Sequence, residues 1–234
     1  MPGSTPDMIP LRLAPQRALF GVEFRDPIRG SPIGEGLRVT AEGMRPPTLT
    51  PSKRFVWLDR DPPVERRIRV KAVSTNGMFA PFEELFRVPA HVGDVKPAAL
   101  LFRRRLRPTG LYEPPEGMIA VAGMLVESRD SREPVPGVRV RIQFHYAEGL
   151  ETFRGGYTAF TDAKGRFAAV VRCLGEIRPD PARHDPTAFE AWLWLKREGG
   201  VRITAPLPLR FGRLSRLAEP LNWAALTPLE GQRR

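Results

Sequence analysis

Between Ile119 and Val171 the chain alternates short apolar runs with turn-forming clusters. That pattern restricts it more than any other feature does. The run Ile119-Ala120-Val121-Ala122-Gly123-Met124-Leu125-Val126 ends at Ser128-Arg129-Asp130-Ser131-Arg132-Glu133-Pro134. Val138, Val140 and Ile142 then alternate with Arg139, Arg141 and Gln143, the period of a half-buried strand. A slip of one residue would turn two arginines and an amide into the core, so the register is well specified. Pro134 and Pro136 stand at the strand entrance, where a missing N–H is tolerated. Asp162-Ala163-Lys164-Gly165 reads as a turn: the Asp bonds its own downstream backbone and the Gly accepts a positive φ. Phe167 re-enters the core and Ala168 to Val171 continue the strand.

The ordered set resembles the carboxypeptidase-regulatory-like module, a transthyretin-like β-sandwich. That family's pattern is a strand, an exposed turn, a Pro-Val-x-Gly-Val-type strand and a Thr-Asp-x-x-Gly-x-Phe turn. The chain carries its counterparts at Ile119–Val126, Ser128–Pro134, Val135-Pro136-Gly137-Val138 and Thr161–Phe167. The resemblance implies the sandwich fold and no particular chemistry.

A similar plan is visible earlier in the chain. Ala18 to Phe24 is a strand candidate, Asp26-Pro27-Ile28-Arg29-Gly30-Ser31-Pro32 a turn, and Gly36 to Ala41 alternates like Gly137 to Ile142. Thr50 to Leu58 parallels Thr161 to Val170. Arg67 to Val73 alternates cleanly, Asn76-Gly77 is a hairpin signal, and Met78 to Val88 returns from it. In the second half Ala191 to Lys196, the turn Glu198-Gly199-Gly200 and Val201 to Leu207 continue the pattern. The expectation is an all-β chain of two tandem, mainly antiparallel β-sandwiches arising by internal duplication; a single larger all-β domain is the alternative. The expected division is an N-terminal flexible or docking arm at 1–16, a first sandwich at 17–107 and a linker at 108–117. A second sandwich at 118–213 and a tail at 214–234 complete it. With 234 residues, two domains of ordinary sandwich size fit. The tail carries Leu214, Leu217, Leu221, Trp223, Leu226 and Leu229, a spacing that suggests a short helix interrupted near Pro220. Residues 174–190 read as a long Pro-containing loop.

Lys+Arg total 37 against 26 Asp+Glu, a formal charge of +11, and all but five of the cations are arginine. Dispersed, solvated arginines are the simplest account; a basic face meeting an acidic partner or nucleic acid is the other. The densest run is Arg103-Arg104-Arg105-Leu106-Arg107. A nucleic-acid site would want neighbouring aromatics or a recognition helix, and only Phe102 and Tyr112 are near, so nucleic acid is not the expected partner. An edge strand, whose charges discourage stray pairing, or a contact with an acidic subunit accounts for the run better. Trp192 and Trp194 lie on one side of one strand; packed inward they are core, exposed they make a sugar- or protein-binding platform. Arg103, Arg104, Arg105, Arg107, Trp192, Trp194 and Trp223 are the candidate partner contacts.

Catalytic signals are thin. His145-Tyr146-Ala147-Glu148 has the spacing of a His-x-x-Glu metal pair, but a zinc site needs further ligands and only His91 and His184 remain. His184-Asp185 has no activated Ser or Cys beside it, and Cys173, the sole cysteine, has no motif around it. No Gly-rich phosphate loop precedes a helix. The expectation is a non-enzyme without metal or cofactor. One cysteine excludes an intrachain disulfide. Met1 to Pro15 lacks the continuous apolar segment of a secretory signal, and no stretch is long enough to span a membrane. A cytoplasmic protein, or one built into a particle there, is therefore expected.

Leu101 to Gly117, leading into Val121-Ala122-Gly123, also looks like proteins encoded with contractile phage-tail-like injection systems. That resemblance implies an accessory subunit of a tail or baseplate, docked on a symmetric oligomer. A carbohydrate- or cell-surface-binding module is the alternative, resting on the tryptophan pair and the long loops.

Overall fold

The structure, a computed structural model, describes residues 17–59, 65–89, 100–146, 149–152, 157–171 and 188–229. The first half contains β1 (Arg17–Arg25), β2 (Pro32–Ile33), β3 (Leu37–Ala41), β4 (Thr48–Leu49), β5 (Phe55–Asp59), β6 (Arg66–Ser74), β7 (Phe82–Val88) and β8 (Leu101–Arg105). The second contains β9 (Ile119–Val126), β10 (Arg139–Gln143), β11 (His145–Tyr146), β12 (Gly149–Thr152), β13 (Ala159–Phe160), β14 (Arg166–Val171), β15 (Ala188–Arg197), β16 (Gly200–Ile203), β17 (Leu207–Arg210), β18 (Leu214–Arg216), β19 (Leu221–Asn222) and β20 (Thr227–Pro228). No α-helix occurs among the described residues.

Two tandem β-sandwiches result. In the first, a sheet of β8, β1, β5 and β4, with β2 on β1, faces a sheet ordered β3-β6-β7. In the second, β14-β9-β18, with β19 also on β9, faces β13-β10-β15-β16-β20, with β17 on β15. The plan repeats pair by pair. The first strand takes the third long strand antiparallel (β1 with β5, β9 with β14) and a late strand parallel (β1 with β8, β9 with β18). The second long strand takes the fourth in both halves (β3 with β6, β10 with β15).

The repeat extends to single turns. In the first half Thr50 N–H donates to Arg54 O at 2.9 Å and Lys53 N–H to Thr50 O at 2.9 Å. In the second, Asp162 N–H donates to Arg166 O at 2.8 Å and Gly165 N–H to Asp162 O at 2.9 Å. A side-chain oxygen of the first turn residue accepts the fourth amide in each case, at 3.1 Å from Arg54 and 2.9 Å from Arg166. Lys53 takes a φ of 59° where Gly165 takes 70°. Lys53 tolerates this, whereas a Cβ on Gly165 would collide with the Leu125 carbonyl oxygen.

Each core is made by the inward parity of its strands. Val138, Val140 and Ile142 from β10 and Ala191, Leu193 and Leu195 from β15 meet Ile119, Val121, Leu125, Phe167, Ala169 and Val171 from the facing sheet. The outward parity of β9 and β14 is buried as well: Ala120, Ala168 and Val170 are at most 2% exposed. Those two strands are therefore near-continuous apolar runs, the pattern of strands covered on both faces. At the start of β14 the outer cover is the segment between the sandwiches. Ala168 packs with Tyr112, Leu106 and Phe79 in the first core, and Gly110 lies flat on the start of β14. A Cβ at Gly110 would stand 2.6 Å from the Arg166 carbonyl carbon and 2.7 Å from Phe167 N.

The expected linker is consequently a docked strap. Thr109 N–H donates to Met78 O at 2.9 Å, and Tyr112 Oη donates to Asp26 Oδ2 at 2.7 Å in a buried bond. The return from Asn76-Gly77 is split for the same reason: Met78 and Ala80 pair with the strap, and β7 starts only at Phe82. The expected tail is also corrected. Residues 214–229 form β18, β19 and β20, which complete the second sandwich. In place of the expected helix there is one 3-10 turn, Trp223–Ala225, capped by Asn222. Residues 1–16 and nearly all of the expected loop at 174–190 lie outside the described residues.

Gly110→Ala is expected to destabilise the protein by about 1–3 kcal/mol, because the obstructing atoms are backbone and cannot rotate away. Urea denaturation measures it, with Gly137→Ala, whose added Cβ meets nothing within 4 Å, reporting backbone strain alone.

Candidate interaction surface

The arginine run occupies β8 and the turn beyond it. Parallel pairing sets Arg103 beside Glu23 and Arg104 beside Phe24, so successive arginines leave opposite faces. Glu23 is 1% exposed on the outer face, and three arginines converge on it: Arg25 Nε at 2.6 Å, Arg54 Nε at 3.0 Å and Arg103 Nε at 3.5 Å. Burial pushes the Glu23 carboxyl up, and the hydrogen bonds and charges of Arg25 and Arg54 outweigh it, leaving the group below its ordinary value. Arg104 turns inward, forms a two-bond ion pair with Glu84 of β7 and lies 5.0 Å above the Phe86 ring. It therefore ties the edges of the two sheets together, and its hydrogen bonds lower the Glu84 carboxyl. Half of the densest cationic run is thus neutralised within the fold; Arg105 and Arg107 remain exposed.

A different surface carries the uncompensated charge. On the larger sheet of the second sandwich, Ala191, Leu193 and Leu195 are fully buried, so Trp192 and Trp194 point to the other face, where both are half-buried. Register places Arg139 opposite Lys196, Arg141 opposite Trp194 and Gln143 opposite Trp192. The Arg141 guanidinium stands 5.7 Å from the Trp194 ring, and its Nε donates to Thr158 Oγ1 at 2.8 Å. Arg107, arriving from the first sandwich, lies 4.5 Å over Phe160, and Arg139 lies 5.8 Å from the same ring. Stacking holds these guanidinium planes against aromatic faces while leaving N–H edges outward. Among the described residues Arg107, Arg139, Arg141 and Lys196 have no carboxylate within ion-pair distance; Glu190 is the acid exposed on the same face, toward its far end.

Trp223 is not part of any such surface. Its ring is 3% exposed in the second core, with Arg197 at 4.3 Å and Arg202 at 5.0 Å. Arg202 Nη1 donates to Trp223 O at 2.5 Å, and Arg197 pairs with Glu127 at 2.5 Å. This corrects its candidacy as a partner contact: the turn that carries it folds back and is clamped by the β15–β16 hairpin. The signal lay in Arg197 and Arg202, which stand on either side of the tight Glu198-Gly199 turn and reach one ring.

Of the weighed chemical groups, His91, Glu148, Cys173, His184 and Asp185 lie outside the described residues, and His145 is described only as backbone of β11. Among the described residues no three His, Cys, Asp or Glu gather as a metal site would require. No described helix is long and apolar enough to cross a membrane.

No family profile matches the sequence, and no curated protein matches it. Among solved structures, a streptococcal ancillary pilin is similar at 11% identity with a TM-score of 0.27, over 91% of this chain. The chain spans 63% of that pilin's length.

Because the folded Glu23 carboxyl sits below its ordinary value of 4.5, its contribution to stability is complete above that pH. The contribution is lost as pH falls through the lower, folded value. Glu23→Gln is expected to cost about 1–3 kcal/mol at pH 7 and to narrow the stability difference between pH 7 and pH 3, measured by urea denaturation at both.

Proposed function

We propose that the protein is a non-enzymatic structural or adaptor subunit that docks on an acidic protein in a larger assembly. The observation that carries this is the contrast between two surfaces. Over β6 and β7 exposed cations have acid partners, Arg69 and Lys71 sharing Glu83 and Arg87 pairing with Glu65. Over β10, β13 and β15 the arginines are stacked on rings and have no acid among the described residues. Preorganised guanidinium edges on a flat sheet suit carboxylates held by a rigid partner. The strap between the sandwiches supports a structural role, because it fixes Arg107 of the first half over Phe160 of the second.

The carboxypeptidase-regulatory-like resemblance supports a module of this kind in two copies, and an accessory place in a contractile phage-tail-like particle assembled in the cytoplasm is the setting we propose. A second reading, a carbohydrate- or cell-surface-binding module, is favoured by the shared outward face of Trp192 and Trp194. Arg141 lies over Trp194 and competes with a sugar for that ring.

Affinity capture of the tagged protein from its native cells, with mass spectrometry and negative-stain microscopy of the eluate, tests the proposal. Co-purifying subunits are expected, reduced at least tenfold by Arg139→Glu/Arg141→Glu and unchanged by Arg38→Glu on the first sandwich. Recovery of the protein alone, with glycan binding lost in Trp192→Ala/Trp194→Ala, would establish the second reading instead.

A further inference from the structure

The outer face of the first sandwich's larger sheet carries a trough that charge closes at one end. β1 runs down the middle of that sheet, between β5 and β8. Phe20, Val22 and Phe24 of β1 are core, so Gly21 and Glu23 fall on the outer face. The bulge between Ala18 and Phe20 shifts the alternation and brings Ala18 to the same side. Register sets Val56 and Leu101 on either side of Gly21, and Arg103 beside Glu23. Two aliphatic side chains flanking a central glycine leave a groove of about 400 Å³, lined by Ala18, Gly21, Val56 and Leu101, with Arg54 and Arg103 at its Glu23 end. A Cβ on Gly21 would meet Leu101, the Phe55 carbonyl oxygen and Val56 at 3.4, 3.5 and 3.6 Å, ordinary contacts, and the Gly21 φ is not positive. Neither packing nor backbone requires glycine there; it keeps the floor open.

The closed end holds more positive charge than the fold consumes. Arg25, Arg54 and Arg103 each approach Glu23 through Nε, and no second carboxylate among the described residues lies within ion-pair distance of them. Three cations against one anion leave a net charge of two. Their side chains are 40%, 42% and 61% exposed, so Nη donors remain open to solvent. Along the floor, by contrast, the β1 backbone is paired on both sides and offers no N–H or C=O to an occupant. The second sandwich has no such trough. Its counterpart of Gly21–Val56 is Ala122–Ala168, since Arg54 and Arg166 hold the same place in the preceding turns; Ala168 is 1% exposed, and Met124 stands where Glu23 does.

We propose that the trough binds a small amphipathic carboxylate. Its aliphatic body lies over Gly21 between Val56 and Leu101, and its head takes the outward N–H groups of Arg54 and Arg103. The volume is that of a small-molecule site. An aliphatic body needs no hydrogen bond from the floor, and a charged head matches the surplus guanidinium donors. A second copy of the chain is the weaker occupant, because two chains of charge +11 repel. The site lies on a different sandwich from Arg139 and Arg141, so its test stands apart from the assembly proposed above.

The test is a titration of methyl-labelled full-length protein with octanoate, followed by NMR. The Val56 and Leu101 methyl signals are expected to shift and saturate, at least tenfold more tightly than with octan-1-ol, and to stay unmoved by octyltrimethylammonium. Arg103→Gln leaves Arg25 and Arg54 on Glu23 and is expected to weaken octanoate at least fivefold without changing octan-1-ol; Arg38→Gln, on the other sheet, is expected to change neither. Gly21→Leu is expected to fill the floor and abolish both, with the Val138 and Leu193 methyls of the second core unmoved as the check on folding. If that variant misfolds, Arg103→Gln carries the test. Equal affinity for octanoate and octan-1-ol, or full affinity in Arg103→Gln, would overturn the proposal. Shifts that grow without saturating, and appear equally at the exposed Leu85 and Leu111, would overturn it as general surface adsorption. So would ligand-free shifts of Val56 and Leu101 that follow protein concentration together with a dimeric mass, because a second copy would then fill the trough.

Discussion

A buried hydrogen bond, Tyr112 Oη to Asp26 Oδ2, fastens the strap between the sandwiches to the first of them. Asp26 is 4% exposed, and its other oxygen accepts the N–H groups of Ile28 at 2.8 Å and Arg29 at 3.0 Å. One carboxylate thus shapes a turn of the first sandwich and anchors the strap that roofs the second. Burial and the neighbouring Asp26 push the Tyr112 phenol well above its ordinary range, so the donor stays protonated wherever the fold survives. The strap in turn allows a sheet face made of alanine and valine to exist. Ala120 and Ala168 would be a weak core by themselves; Ala168 is buried in one cluster with Tyr112 of the strap, and the Gly110 backbone lies against the start of β14.

The two sandwiches solve similar problems with different residues. At the position where the second carries Met124, the first carries Glu23, buried under three guanidinium groups. A buried carboxylate is costly unless its charge and lone pairs are met, and here arginines from β1, β8 and the turn before β5 meet them. The second sandwich uses Arg197 and Glu127 to join its sheets, as the first uses Arg104 and Glu84. Part of the arginine bias is therefore internal mortar.

Alternation made the strands legible: Val138, Val140 and Ile142 fall inward as their spacing indicates. The turn Asp162–Gly165 and its earlier twin were legible because Asp, Thr and Gly have local reasons to be there. What covers a strand was not legible. The run Ile119–Val126 shows that both faces of β9 are apolar, but not that a glycine sixty residues from Val170 lies above its partner. Nor does local sequence reveal that Arg103 and Arg104 are neutralised by Glu23 and Glu84, since each pairing depends on strand order. Trp223 was misplaced for the same reason: its leucine-rich surroundings suit a helix, and only the return of β18 and β19 beside β9 makes them strands.

The parallel pairing of each first strand with a late one has a consequence for how the chain is made. A ribosome releases β9 long before Leu214, so its parallel neighbour is missing until about ninety further residues emerge. Throughout that interval the β9 edge presents unpaired backbone groups next to an apolar face, a site open to mispairing. The first sandwich has the same delay between β1 and β8, and the strap cannot settle on β14 until β14 exists. Non-local closure of this kind folds slowly, which makes the period of synthesis, more than the finished molecule, the time when this protein is most exposed to aggregation.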